Sequence, residues 1–369
     1  MTQQRKGTAL ALAGLFLISG CGRDNASSTQ IPVSPDTIPN ISTAVDKGSI
    51  ILGDDLQAIL MATPISRVSN ESEEDLLSHI FYSRLMLIRA EERDEDGTLL
   101  KCIEESASFP NLRSLTIDNG SRSLTSQELR SMFSLTQIER ICIGNSSGIA
   151  KAINLSDLAN IEMLELGNPT DADIAFLANI GEPIPELCLY FSDFGDGSDA
   201  SDVSLERLLR ANVVESLSIS DGRNDGLTGE FLSGIEDATN LHSISIQSQS
   251  LASGSLAAIK NAPSLRLLWI AGRNITVNRV KELEGIQGLE AMLLTGIDKE
   301  GTELLDFASL SDCFLVVPHS EAIQKSFIEQ GFGYDAPFFY RYDGNGVSVA
   351  AKEWFTDELM FFATEQGKH

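Results

Sequence analysis

Residues 213–219 read VVESLSI, 240–246 read NLHSISI and 264–270 read SLRLLWI. Each has the form apolar-x-x-apolar-x-apolar and closes on a pair: Leu217 and Ile219, Ile244 and Ile246, Leu268 and Ile270. Two apolar residues at a spacing of two make a short strand whose hydrophobic side chains share one side. The same form recurs in both directions along the chain, as NLRSLTI (111–117), QIERICI (137–143), NIEMLEL (160–166), PIPELCL (183–189) and GLEAMLL (288–294). The period is roughly 25 residues, which is that of a repeat array. YSRLML (82–87) and LSDCFLV (310–316) flank the set, without a register that the sequence itself settles.

Between the pairs lie stretches with apolar residues at three- and four-residue spacing: TSQELRSMF (125–133), DVSLERLLR (202–210), GSLAAIK (254–260) and VNRVKELEGI (277–286). Those spacings predict helices. One strand and one helix cannot bury their apolar faces alone. Stacked copies can, each strand extending a parallel sheet and each helix covering its outer side. The pattern resembles the leucine-rich-repeat family, and within it the ribonuclease-inhibitor-like class, over about residues 82–317. Thr170-Asp171-Ala172-Asp173-Ile174-Ala175-Phe176-Leu177 is similar to the family's bacterial T-D-A-G-L-x-x-L segment. The resemblance implies an α/β leucine-rich-repeat solenoid, curved, with a concave parallel sheet, convex helices and a cap at each end. There is one departure. The family's buried Asn or Cys ladder would fall on Gly120, Ser146 and Pro169, whereas Asn119, Asn145 and Asn168 stand one place earlier, so the ladder is absent or displaced.

The ends of the chain read differently. Residues 1–21, MTQQRKGTALALAGLFLISGC, have a basic start and an apolar run too short to span a bilayer. Ile18-Ser19-Gly20-Cys21 resembles a bacterial lipobox, which implies a signal peptide over 1–20 and lipidation of Cys21. Residues 21–47 have the composition of a flexible tether, with a reach of roughly 25–30 Å. Residues 48–81 are expected to form an N-terminal cap, and 318–369 an aromatic-rich C-terminal cap. Within the latter, PFFYRYDGNGVSVA (337–350) has the turn chemistry of a hairpin. AAKEWFTDELMFFA (350–363) reads as an amphipathic helix with Ala351, Phe355, Leu359 and Phe362 on one face. The expected address is the bacterial cell envelope, periplasmic or outer-membrane face, with the N-terminal lipid as the anchor.

Charge narrows the partners. The chain carries 27 Lys and Arg against 53 Asp and Glu, a formal net charge of −26. Nucleic-acid binding needs clustered cations, so an acidic surface argues against it. Five Cys and four His leave little material for a disulfide framework or a multi-metal centre, and no cofactor-binding loop occurs. Gly144-Asn145-Ser146-Ser147-Gly148 matches G-x-S-x-G, but every strand here ends in a turn rich in Gly, Asn or Ser. Asp193 and Asp196 of an insertion, with Asp221 and Asp225 of the next repeat, form a weak Ca²⁺ candidate.

The positions inside and beside each closing pair should line the concave sheet. They place hydroxyls at Ser218 and Ser245, an aromatic at Tyr190, and an apolar patch at Leu267, Trp269 and Leu293. An exposed Trp among aliphatic residues is what binding hot spots are made of. A second expectation competes with it, in which the C-terminal segment folds across these residues. The sequence thus points to a monomeric, non-enzymatic scaffold for a protein or peptide ligand. The alternatives are a structural envelope lipoprotein without a specific ligand and, at greater remove, a carboxylate-based hydrolase using Glu165 and Glu186.

Overall fold

The computed structural model describes residues 50–53, 85–89, 98–109, 111–120, 122–192, 200–223, 226–248, 250–252, 254–271, 277–295, 314–318, 339–342 and 347–349. They fall into two compact units, one with the strands up to Leu177 and one with the strands after it.

In the first unit, β1 (Ile50–Gly53) pairs antiparallel with β2 (Leu85–Arg89). From there the ladder is parallel through β3 (Ser114–Asp118), β4 (Arg140–Ile143) and β5 (Met163–Gly167). Register sets Met86 beside Leu115, Leu115 beside Ile141 and Ile141 beside Leu164, so the flanking 82–87 segment is a true repeat strand. Leu115, Ile117, Ile141, Leu164 and Leu166 are fully buried. Helices α1 (Thr98–Glu105), α2 (Ser126–Phe133), α3 (Ile149–Ala152) and α4 (Asp171–Leu177) alternate with the strands. They bury Leu99, Ile103, Leu129, Met132, Ile149, Ile174 and Leu177.

Helix α2 starts where its sequence dictates. Thr125 accepts from the Glu128 amide while Glu128 accepts from the Thr125 amide, a reciprocal cap that satisfies two orphan donors. Arg122 then pairs with the buried Glu128 at 2.6 Å.

The turns after β3 and β4 settle the ladder question. Asn119, Asn145 and Asn168 are buried one place ahead of the family position. Asn119 Oδ1 accepts from the Asn145 amide and its Nδ2 donates to the Asn145 carbonyl, both at 2.8 Å. One rung of the ladder is present, displaced by one place, between Asn119 and Asn145. Gly167 allows the turns to close: a Cβ there would lie 1.9 Å from the Gly144 carbonyl oxygen.

The second unit holds seven parallel strands: β6 (Ile184–Phe191), β7 (Val214–Asp221), β8 (Ser243–Ser248), β9 (Leu267–Ala271), β10 (Ala291–Thr295), β11 (Phe314–Pro318) and β12 (Phe339–Tyr342). β13 (Val347–Val349) pairs antiparallel with β12, which makes the hairpin expected from residues 337–350. Met292 registers with Leu315, and Leu315 with Phe339, so the 310–316 segment also continues the repeat.

Among the described residues, two elements connecting these strands are α-helices, α5 (Asp202–Arg210) and α6 (Val277–Lys281), and two are 3₁₀ helices, Glu230–Asp237 and Ser255–Asn261. Leu205, Leu208, Phe231, Leu232, Ile235, Leu256 and Ile259 are buried. Gly234 permits close packing, since a Cβ there would meet the Glu206 carbonyl oxygen at 2.6 Å.

Carboxylates tie neighbouring repeats together across the helix starts. Asp173 of α4 accepts from the amides of Gly148 and Ala150 at the start of α3. Asp202 of α5 accepts from Thr228, Gly229 and Phe231 at the next 3₁₀ helix, and Glu282 accepts from Gly254 and Leu256. A negative charge at a helix N-terminus meets unpaired N–H groups and the positive end of the dipole. Asp173 stands where the similar family segment has Gly, and the cap explains why a carboxylate occupies that place.

A strand ladder with this period, an aliphatic row on one side and helices between the strands, is a leucine-rich-repeat fold within each unit. The expected class, α/β with a parallel sheet, is what the chain adopts.

Candidate functional site

The residues on the other side of the strands are brought into rows by register. In the second unit, Cys188 lies beside Ser218, Ser218 beside Ser245, Ser245 beside Trp269 and Trp269 beside Leu293. Parallel to it run Glu186, Ser216, Ser243, Leu267 and Ala291. On the opposite flank lie Tyr190, Ser220 and Gln247. Five of the six candidate contact residues are thus neighbours in two adjacent rows, and Tyr190 lies in the third.

Exposure departs from expectation. Trp269 is only 4% exposed, and Leu267, Ser218 and Ser245 are buried as well. Leu293 is placed on its strand by register alone. Tyr190 is the displayed member, 47% exposed. Of the two expectations for Leu267 and Trp269, an open patch and a covered one, their burial accords with the covered one. The reason is that β7, β8 and β9 are buried on both faces, not on the leucine face alone. Lateral neighbours about 4.8 Å away cannot by themselves shield an indole ring standing on a sheet. Ser245 adds a polar sign of this closure: its hydroxyl is buried and has no hydrogen-bond partner.

The first unit carries a polar row. Thr116 lies beside Cys142, and Cys142 beside Glu165. Burial pushes the Glu165 carboxyl above the ordinary carboxylate range, and the Cys142 hydrogen bond offsets part of that rise. Burial pushes the Cys142 thiol up as well, with the Glu165 charge adding to it. A thiol held in its neutral form is a poor nucleophile. Thr116, Cys142 and Glu165 hold the same central position in successive repeats, and register makes them lateral neighbours. On its β4 side Glu165 has a thiol for a neighbour.

The nucleophile-like motif resolves into structure. Ser146 is fully buried, its hydroxyl donates to the Gly167 carbonyl at 2.9 Å, and its amide donates to the same oxygen. His242 Nδ1 is buried with no hydrogen bond among the described residues, while its backbone joins Glu215, Arg266 and Leu267.

The Ca²⁺ candidate is corrected at its described member. Asp221 is buried and both its carboxylate oxygens are taken by Arg223, Nε to Oδ1 at 2.8 Å and NH2 to Oδ2 at 2.9 Å. The Arg223 and Leu227 amides donate to the same carboxylate, and the guanidinium stacks 4.6 Å from the Phe191 ring. A bidentate Arg supplies the charge that a cation would have supplied. Asp193, Asp196 and Asp225 lie outside the described residues, as do Cys21 and the rest of residues 1–49. Among the described residues no group of three or more His, Cys, Asp or Glu is placed to hold a metal ion. Cys102, Cys142 and Cys188 are buried and form no disulfide.

No known family profile matches the sequence, and no curated protein matches it. Among solved structures, internalin C2 of Listeria monocytogenes is 14% identical, with 57% of this chain and 81% of that chain covered at a TM-score of 0.29. Internalin F of the same organism is 13% identical, over 77% of this chain and 89% of that one, at 0.28. A structure of the Toll–Spatzle complex of Drosophila is 13% identical, over 63% and 43%, also at 0.28. The fold assignment rests on the strand registers of this chain.

Proposed function

We propose that the chain is a non-catalytic, protein- or peptide-binding leucine-rich-repeat scaffold of the ribonuclease-inhibitor-like class, tethered to a bacterial envelope through lipid on Cys21. One observation carries the binding reading. The row facing the core is uniformly aliphatic, as Leu217, Ile244 and Leu268 are, while the neighbouring outward row varies freely through Cys188, Ser218, Ser245 and Trp269. A repeat that holds its core constant leaves the other face free to vary from strand to strand. Tyr190, exposed at the edge of that face, is the contact already open to a partner. The alternation of strands with α- and 3₁₀-helices supports the class, and the 18–21 segment supports the anchor.

A photo-crosslinking amino acid in place of Tyr190, expressed in intact cells, tests the binding reading. A discrete protein adduct is expected. A ladder of nonspecific adducts, or none, at wild-type abundance would leave the chain a structural spacer. Replacement Cys21→Ser tests the anchor separately: metabolic acyl labelling should vanish and the protein should leave the membrane fraction.

A further inference from the structure

We propose that Asn119-Gly120 is a conditional deamidation site, silent while the turns after β3 and β4 are joined and consumed when they open. It stands independently of the candidate contact face.

A glycine after asparagine presents the least hindered backbone nitrogen a chain can offer, because it has no side chain. In the reaction the Gly120 nitrogen bonds to Asn119 Cγ and the Cγ–Nδ2 bond breaks. Ammonia leaves, carrying the former Gly120 amide proton. Water then opens the cyclic imide at either carbonyl, giving aspartate or isoaspartate. Asn119 is the one displaced ladder residue suited to this route. Asn145 precedes Ser146, whose side chain crowds the nitrogen, and Asn168 precedes Pro169, which has no N–H.

The fold blocks each step. Asn119 is fully buried while Gly120 beside it is exposed. Asn119 Nδ2, the leaving group, donates to the carbonyls of Asn145 and Arg122, and Oδ1 accepts from the Asn145 amide. The Asn119 carbonyl accepts from the Arg122 amide at 3.0 Å, which fixes the backbone against the rotation that would bring the Gly120 nitrogen onto Cγ. Burial also keeps out the water that opens the imide. Loss of the Asn119–Asn145 rung releases these restraints together, so the reaction runs in proportion to the time the turn spends open. The product cannot restore the rung, since a carboxylate lacks the donor and would bury a charge. Each opening that is long enough is therefore recorded covalently and irreversibly.

The full-length protein is incubated at mildly alkaline pH, and peptide mapping distinguishes Asn119 from the chain's other Asn-Gly pair, Asn345-Gly346. Deamidation at Asn119 should run more than about tenfold slower than in a synthetic peptide of residues 115–124. An equal rate would overturn the proposal. Guanidinium chloride, raised below the unfolding midpoint, should speed the reaction in step with hydrogen exchange at the Asn145 amide, which the same side chain holds. A rate that stays flat while that amide exchanges faster would overturn it too. The deamidated protein, separated by ion exchange, should melt below the native one and exchange the Asn145 amide faster; an unchanged melt and exchange would show that the rung re-forms, against the irreversible record.

Discussion

Asn119 holds Asn145 by both atoms of its side-chain amide, accepting from the Asn145 amide and donating to the Asn145 carbonyl at 2.8 Å each. The pair extends the β3–β4 ladder past the strand ends, where backbone groups would otherwise be buried and unpaired. Asn119→Ala should therefore destabilise the protein by about 2–4 kcal/mol, from the lost side-chain bonds to Asn145 and to the Arg122 carbonyl. Asn119→Asp should lose much of the same, since it keeps the acceptor and drops the donor. Denaturant melts of the two variants check this.

Gly167 has no room for a side chain, with the Gly144 carbonyl oxygen 1.9 Å from its would-be Cβ. Gly167→Ala should cost about 3 kcal/mol or more through backbone displacement. Gly181→Ala meets nothing within 4 Å and serves as the matched control. Thermal unfolding of both variants should separate them by many degrees.

Asp202 caps the helix of the following repeat through the Thr228, Gly229 and Phe231 amides. Asp202→Ala should cost about 1–2 kcal/mol. Hydrogen exchange should accelerate at Gly229 and Phe231, in the following repeat, more than within α5 itself. Uniform acceleration through both would contradict a cap between repeats.

Glu165 has a pH signature. Its folded-state carboxyl titrates above the ordinary value because burial disfavours the charge. The favourable contribution is therefore complete at low pH, where folded and unfolded states are both protonated, and is lost as pH rises through the folded value. Glu165→Gln should be nearly neutral in acid and should gain stability over the native protein as pH climbs above the ordinary carboxylate range. Parallel melts across pH would show a constant difference if the burial argument fails.

Much of the fold could be read directly. The closing pairs at Leu115, Leu164, Leu217 and Leu268 are all central to parallel strands, and the hairpin after Phe339 follows from its turn residues. The flanking registers at Met86 and Leu315 could not be read, because short apolar runs such as LMLIR admit more than one alignment and strand pairing alone selects it. The Asn ladder could be located in sequence but not shown to bond. Asp173, Asp202 and Glu282 looked like ordinary helix acids, since their acceptor role depends on amides a whole repeat away.

The candidate face divides along the same line. Local periodicity alone identified which residues share a row, because side-chain direction along a strand alternates with every residue. It assigned Leu217, Ile244 and Leu268 to the core and Ser218, Ser245 and Trp269 to the other side. Whether that other side meets water was decided only by the tertiary structure. Exposure depends on which distant chain segment comes to rest above a sheet, and a two-residue period carries no information about that. Trp269 thus belongs to a displayed row by sequence and to a buried layer by fold, while Tyr190 alone among the described candidates remains in the open.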